Sequence, residues 1–439
     1  ESRGLFYSRM RAAWLRKQSG KSSVFSRGFK WAIWVSVSLY FLICYLVAYQ
    51  NPISLHQPSF PRPSHAARVL MESHSNSSSR SLQKGALLND LKVFVYDLPS
   101  KFNADWLSNE RCGKHLFASE VAIHRALLTS GVRTMDASEA DFFFLPVYVS
   151  CNFSTVNGFP AIGHARPLLA AAVELVSSRF PFWNRSLGSD HVFVASHDFG
   201  SCFHTMEDVA VADGIPPFLK NSIILQTFGV KTRHPCQEAE HILIPPYVSP
   251  ATAAAQPDGL RDIWAFFRGK MELHPKNVSG RFYSKRVRTM IWDSFNRDPR
   301  FYLRRRRFSG YLSEIARSVF CLCPRGWAPW SPRLVEAAVL GCVPVIIADG
   351  IRLPFSSAVR WPEISLTVAE RDVPELGRIL QRVAATNLSA IQRNLWDPFH
   401  RRALLFNDMV MDGDATWHVF RALSDKLGRS YRRARGSSE

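Results

Sequence analysis

Three short stretches of this 439-residue chain carry side chains whose types and spacing suit chemistry. The longest runs from Cys323 to Ala348. It holds Arg325, Trp327, Trp330, Ser331, Pro332, Arg333 and Glu336 within fourteen positions. Ser331 is placed as a helix N-cap and Pro332 as the first helical residue. Gly341 is placed just past the helix end. A basic loop leading into a helix start is an anion site, because free N–H groups point at the ligand. Arg325 and Arg333 would add charge-assisted bonds to a diphosphate. Glu336 stands three residues beyond Arg333, where a carboxylate can accept from two vicinal ribose hydroxyls. The competing reading is a surface ion pair at i, i+3. Trp327 and Trp330 would stack on a base or a sugar.

The second stretch, Phe267-Arg268-Gly269-Lys270, ends an apolar run. It reads either as a phosphate-contacting strand end or as an ordinary turn. The third, Ser196-His197-Asp198-Phe199-Gly200, follows His191-Val-Phe-Val-Ala195. His197 and Asp198 at a strand's carboxyl end are placed for acid–base work, with a plain Asp-Phe-Gly turn as the alternative. Neither a P-loop nor GxGxxG occurs, which disfavours an NTPase or a dinucleotide dehydrogenase. Zinc spacing and an acidic magnesium cluster are also missing, so no metal site is expected. Asp412-Gly-Asp414 is the only Asp-x-Asp, and capping of the helix that follows is the expected role.

Elements must hold these groups in place. Apolar runs predict strands at 91–99, 141–149, 190–198, 221–229, 240–246, 263–269, 318–324, 342–349 and 363–368. Helical spacing falls at 117–129, 164–180, 281–296, 332–340 and 372–385. Near-continuous apolar strands alternating with helices indicate buried parallel sheets. A break at 249–258 divides them into two Rossmann-like halves facing a cleft. The expected domains are 91–250 and 251–400, with a helical segment and basic tail at 401–439.

The first 90 residues read differently. Trp31 to Tyr49 is a stretch of 19 residues without a charge, long enough for one transmembrane helix. Residues 1–30 carry eight Lys/Arg against one acid, which places them in the cytosol and the rest in a lumen. Residues 50–90 are a Pro- and Ser-rich stem. Five sequons, at Asn76, Asn152, Asn184, Asn277 and Asn387, permit glycosylation there. Of the lumenal cysteines, Cys112, Cys151, Cys202 and Cys236 allow two disulfides in three connectivities. Cys321 and Cys323 read as buried thiols on one strand face. The formal charge of +19, from 55 basic and 36 acidic residues, invites a nucleic-acid reading. Its concentration in the tail, in Arg304–Arg307 and at the C-terminus argues against one.

The runs HDFGSCFH (197–204), LQTFG (225–229), IPPYVSP (244–250), FFRGKMELHPKNVSGRFYSKRVR (266–288), the long stretch 321–355 around SPRLVEA, and VAERDV (368–373) closely resemble plant exostosin-type glycosyltransferases of family 47. The similarity is greatest to the fragile-fibre type of probable glucuronoxylan glucuronosyltransferases. The xylan-backbone xylosyltransferase branch shares HDFG and GWAPWSPRLVEA but departs around 270–290. The resemblance implies a GT-B fold, an inverting transfer from a UDP-sugar to xylan, and a Golgi membrane location without a required metal or other cofactor. Glucuronic acid is the expected sugar, with xylose transfer or a non-catalytic place beside other xylan-synthesising transferases as alternatives. It implies ribose contact for Glu336 and donor contacts for Arg268, Lys270, Arg325, Ser331 and Arg333. Asp198 or His197 is the expected base.

Overall fold

Among the described residues of a computed structural model of the chain, eleven strands build two sheets. The described residues are 39, 88, 90–150, 164–204, 206–254, 260–272, 283–305 and 309–436, with the side chains of 110–111, 254 and 428–436 left aside. The membrane segment at 31–49 lies outside them except for residue 39. Among the described residues no helix is long and apolar enough to cross a membrane.

The first sheet contains β1 (Val93–Val95), β2 (Arg133–Thr134), β3 (Phe142–Phe144), β4 (His191–Ala195), β5 (Ile223–Gln226) and β6 (Ile242–Leu243). The order is β2-β1-β3-β4-β5-β6, with every pairing parallel. The second contains β7 (Ile263–Arg268), β8 (Phe301–Arg304), β9 (Ser318–Pro324), β10 (Val343–Ile347) and β11 (Leu366–Thr367). Its order, β11-β10-β9-β7-β8, is again wholly parallel. Counted from its own first strand, the second sheet repeats the order 2-1-3-4-5 of the first. Both faces of such sheets are covered, which is why Phe142, Phe143 and Phe144 are all buried instead of alternating.

The main helices are α1 (Ser119–Thr129), α2 (Ala165–Arg179), α3 (Val287–Phe295), α4 (Tyr311–Ala316), α5 (Arg333–Val339) and α6 (Ala415–Gly436). Strand β8 and helix α4 were not expected. The run Phe301-Tyr-Leu-Arg304 is too basic at its end to stand out as a strand, yet Phe301 and Leu303 point inward. Helix α3 starts later than its spacing suggests. Ser284, Lys285 and Arg286 all have positive φ, and that left-handed turn blocks any earlier start. The break at 249–258 contains a short helix, Pro250–Ala254. Asp414 caps α6 as expected, accepting from the Trp417 N–H at 2.8 Å.

The described residues from 88 onward fall in one compact unit containing both sheets. An antiparallel bridge, Val230 to Ile351, ties the loop after β5 to the loop after β10. Lys231 N–H donates to Gly350 O at 2.7 Å and Arg352 N–H to Gly229 O at 2.9 Å. Lys426 of α6 returns to Glu240 at 2.7 Å.

The cysteines correct one expectation and settle another. Cys321 is bonded to Cys342 and is not a free thiol. Register explains it: Cys321 lies opposite Pro344, which puts Cys342, two residues back, on the same face. Cys323 remains free and buried. Cys202 pairs with Cys236, and Cys112 is also disulfide-bonded. The Cys202–Cys236 bond closes a segment with a sequence separation of 34. Its replacement by Ser at both positions is expected to cost about 2–4 kcal/mol, seen as a lower midpoint of urea unfolding with a steeper slope, because the uncrosslinked unfolded chain is more expanded.

Candidate active site

In the second sheet the strand order reverses between β7 and β9, so the connections from these strands leave on opposite faces. That opens a crevice at their carboxyl ends, where open α/β sheets bind ligands. Its lips are Arg268-Gly269-Lys270 after β7 and Pro324-Arg325-Gly326 after β9.

Two buried arginines stitch the lips together. Arg288 of α3 donates from Nε to Arg325 O at 2.9 Å. Its two terminal nitrogens reach Lys270 O at 3.1 Å and Pro324 O at 3.3 Å. Arg333 of α5 donates to Leu322 O at 3.2 Å, to Arg268 O, and from Nε to the Tyr311 hydroxyl at 3.0 Å. Its guanidinium also lies over the Phe267 ring, 4.5 Å from the centroid. Gly269 leaves room for this group: a Cβ there would stand 3.2 Å from an Arg333 nitrogen and from the Phe267 ring.

The other expected donor contacts converge on the same crevice. Arg268 is buried and paired with Glu314 at 2.5 Å. Arg325 is buried and reaches Glu370 at 3.4 Å. Lys270 is the exposed one. Its ammonium lies 3.2 Å from Glu272 and over the rings of Tyr283 (4.6 Å) and Trp327 (5.1 Å). Glu336 is half-buried on α5 and accepts from the Tyr311 hydroxyl at 3.0 Å.

Helix α5 starts one residue later than its sequence suggests. Pro332 takes the cap position, with no side-chain cap bond, and Arg333 is the first helical residue. The reason is a tight entry turn, in which Leu334 N–H reaches Ser331 O at 3.1 Å. Ser331 itself is buried. With only seven residues in α5, the macrodipole is short and the arginines supply most of the positive field. The helix ends as expected, at a Schellman turn: Cys342 N–H bonds Ala337 O at 2.9 Å and Gly341 has φ +69°.

His197 and Asp198 approach from the first sheet, just past the end of β4. His197 is buried, and burial pushes its imidazole down to about 3, so it is neutral at ordinary pH. Asp198 keeps 23% of its side-chain surface exposed. Burial pushes its carboxyl up to about 7, against the opposing pull of Arg288. The two side chains are 3.8 Å apart, too far for a hydrogen bond. Trp330 joins the two sheets here by donating its indole N–H to Asp198 O at 3.2 Å. Phe117 packs between His197 and Trp330, at 4.8 and 5.9 Å. Trp327 and Trp330 are half-buried, packed against Phe199, Phe228 and Ala328. They are therefore part of the join between the Asp-Phe-Gly turn and the 324–330 loop.

Among the described residues no group of three or more His, Cys, Asp or Glu is placed to hold a metal ion. Asn184 and Asn387 are exposed, and the other three sequons lie outside the described residues. Arg304 is exposed over the Tyr302 ring, and 306–308 are not described. The residues that spacing did not reveal are Arg288, Tyr311, Glu314 and Glu370. Arg288 and Glu370 lie inside the runs 266–288 and 368–373 without standing out there, and Tyr311 and Glu314 lie outside every such run.

The exostosin GT47 domain model matches residues 87–383. The chain belongs to this family of glycosyltransferases. It is 61% identical over 438 residues to the Arabidopsis thaliana protein named probable glucuronoxylan glucuronosyltransferase IRX7, covering 95% of this chain and 98% of that one. Identity to a second Arabidopsis protein named as a probable glucuronoxylan glucuronosyltransferase is 60%, over 94% and 89% of the two chains. The Arabidopsis probable beta-1,4-xylosyltransferase IRX10 is 43% identical over 77% and 82%.

Proposed function

We propose that this chain is an inverting GT-B glycosyltransferase that moves glucuronic acid from UDP-glucuronic acid to a xylan acceptor. The observation that carries the reading is the meeting, at Trp330, of a near-neutral carboxyl from one sheet and a cation-lined crevice from the other. Asp198 takes the proton of the acceptor hydroxyl while that oxygen bonds the anomeric carbon from the face opposite the phosphate. The bond from that carbon to the diphosphate oxygen breaks, and UDP leaves with the electron pair. Lys270, Arg325 and the buried charges of Arg268 and Arg333 stabilise the leaving diphosphate. Glu336 takes the ribose hydroxyls. His197, being neutral and buried, is a poor base and serves as packing behind Asp198.

The same proposal places residues 31–49 as a single membrane anchor and the head in the Golgi lumen. The relatives' names support the donor and acceptor. The xylosyltransferase relative supports UDP-xylose as the second donor to try.

The full chain, purified in detergent, is expected to release UDP from UDP-glucuronic acid when xylo-oligosaccharides are present. EDTA should leave that turnover unchanged, because side chains carry the leaving-group charge. Turnover with UDP-xylose alone would move the assignment to xylose. Folded protein without turnover on either donor would favour a non-catalytic role.

A further inference from the structure

Short helix α4 faces the donor crevice with two side chains one turn apart, Tyr311 and Glu314, and each holds groups assigned to donor binding. The Tyr311 hydroxyl lies between Arg333 Nε and Glu336 Oε2, at 3.0 Å from each. The direction of these bonds is determined. An arginine nitrogen can only donate, so the tyrosine oxygen accepts from Arg333 and must give its own proton to the Glu336 carboxylate. Glu314 works in parallel. One of its oxygens pairs with Arg268 at 2.5 Å, and the other accepts from the Tyr302 hydroxyl at 2.9 Å. The Tyr311 ring is fixed against Phe266, with centroids 5.8 Å apart. Neither residue belongs to the loops that form the lips.

We propose that Tyr311 and Glu314 are positioning residues for the nucleotide-sugar donor. Tyr311 presets the Glu336 carboxylate through the Arg333–Tyr311–Glu336 relay, and Glu314 presets Arg268. Long polar side chains lose considerable rotamer freedom when a ligand fixes them. The relay removes that loss in advance, so it acts on donor affinity. The Tyr311–Glu336 arm grips the ribose, remote from the reacting carbon and equally in ground and transition states, whereas Glu314 acts through Arg268, which also meets the leaving diphosphate. Loss of Tyr311 therefore raises donor KM and spares kcat, while loss of Glu314 raises donor KM and also lowers kcat. This inference rests on the donor-site reading proposed above.

The test is steady-state kinetics of the full chain with UDP-glucuronic acid at saturating xylo-oligosaccharide. Tyr311→Phe keeps the ring and removes one oxygen. It is expected to raise donor KM roughly tenfold, about one hydrogen bond to a charged group, with kcat within twofold. Glu314→Gln is expected to raise it roughly three- to tenfold by neutralising the partner of Arg268, and it tests the proposal independently should Tyr311→Phe not fold. In a Glu336→Ala background Tyr311→Phe should add less than a further twofold, because its target is gone. Unchanged donor KM in folded Tyr311→Phe and Glu314→Gln, with Glu336→Ala still impaired, would overturn the positioning role and leave the donor site standing. Undiminished donor binding in Glu336→Ala would overturn the donor-site reading itself. A loss confined to kcat would also overturn the inference.

Discussion

Asp198→Asn is expected to lower kcat by about two to four orders of magnitude, the usual contribution of a positioned general base. Asparagine keeps the size of the side chain, and the indole bond from Trp330 goes to the main-chain oxygen, which the substitution leaves in place. Donor KM should therefore change little. In the wild type, kcat/KM should rise with pH through about 7 as the carboxyl ionises, since this ratio reports the free enzyme. The residual activity of Asp198→Asn should lack that limb. A variant with wild-type turnover would remove Asp198 from the chemistry.

The same residue predicts a stability change of defined sign. Its carboxyl titrates near 7 in the folded chain against an ordinary 3.8. Between those values the folded state holds the proton and the unfolded state has lost it. Stability from this group is thus complete below pH 4 and is lost as pH rises toward 7. Asp198→Asn has no such loss. Relative to wild type it should be more stable at pH 8, on the order of 2–4 kcal/mol, and the gain should shrink steadily on acidification to pH 4. Chemical denaturation at a series of pH values reads it directly. A base held at a cost to stability is what a catalytic carboxyl in a largely desolvated position requires.

How much of this was legible beforehand depended on the range of the interaction. The strand after Val343 and the glycine ending α5 were visible because local forces set them: a continuous apolar run and a left-handed turn. The crevice residues Arg268, Arg325, Arg333 and Glu336 were visible because each flanks a strand end or a helix start. Strand β8 was hidden because Arg304–Arg307 masks an otherwise inward-facing Phe301 and Leu303. The disulfide between Cys321 and Cys342 was hidden because it depends on register between β9 and β10. Arg288 and Tyr311 were hidden for a deeper reason. Their partners are main-chain carbonyls and side chains brought near only by the parallel pairing of β7 with β9. No periodicity records that. The contrast between His197 and Asp198 likewise needed burial, which separates an imidazole pushed to about 3 from a carboxyl pushed to about 7.

Arg288→Ala is expected to be the most destabilising single change at the site, by about 3–5 kcal/mol. The arginine satisfies three main-chain carbonyls, those of Lys270, Pro324 and Arg325, just beyond the ends of β7 and β9. Removing it deprives all three of this donor, at about 1–3 kcal/mol for each buried acceptor left unsatisfied. Water entering the space returns part of that cost, so the sum is less than the maximum. Arg288→Lys should recover only a minor share, because one ammonium cannot reproduce a planar fork aimed at two lips. The midpoint of urea unfolding measures both variants. A second effect follows from the position of Arg288 beside Asp198, whose carboxyl it holds lower than burial alone would. Without that charge the acid limb of kcat/KM should move to higher pH, so the variant loses most of its activity at pH 6 and less at pH 8.5. If Arg288→Ala were as stable as wild type, the crevice lips would not depend on the clamp. If it were destabilised but kept the pH profile, Arg288 would support the fold without tuning the base.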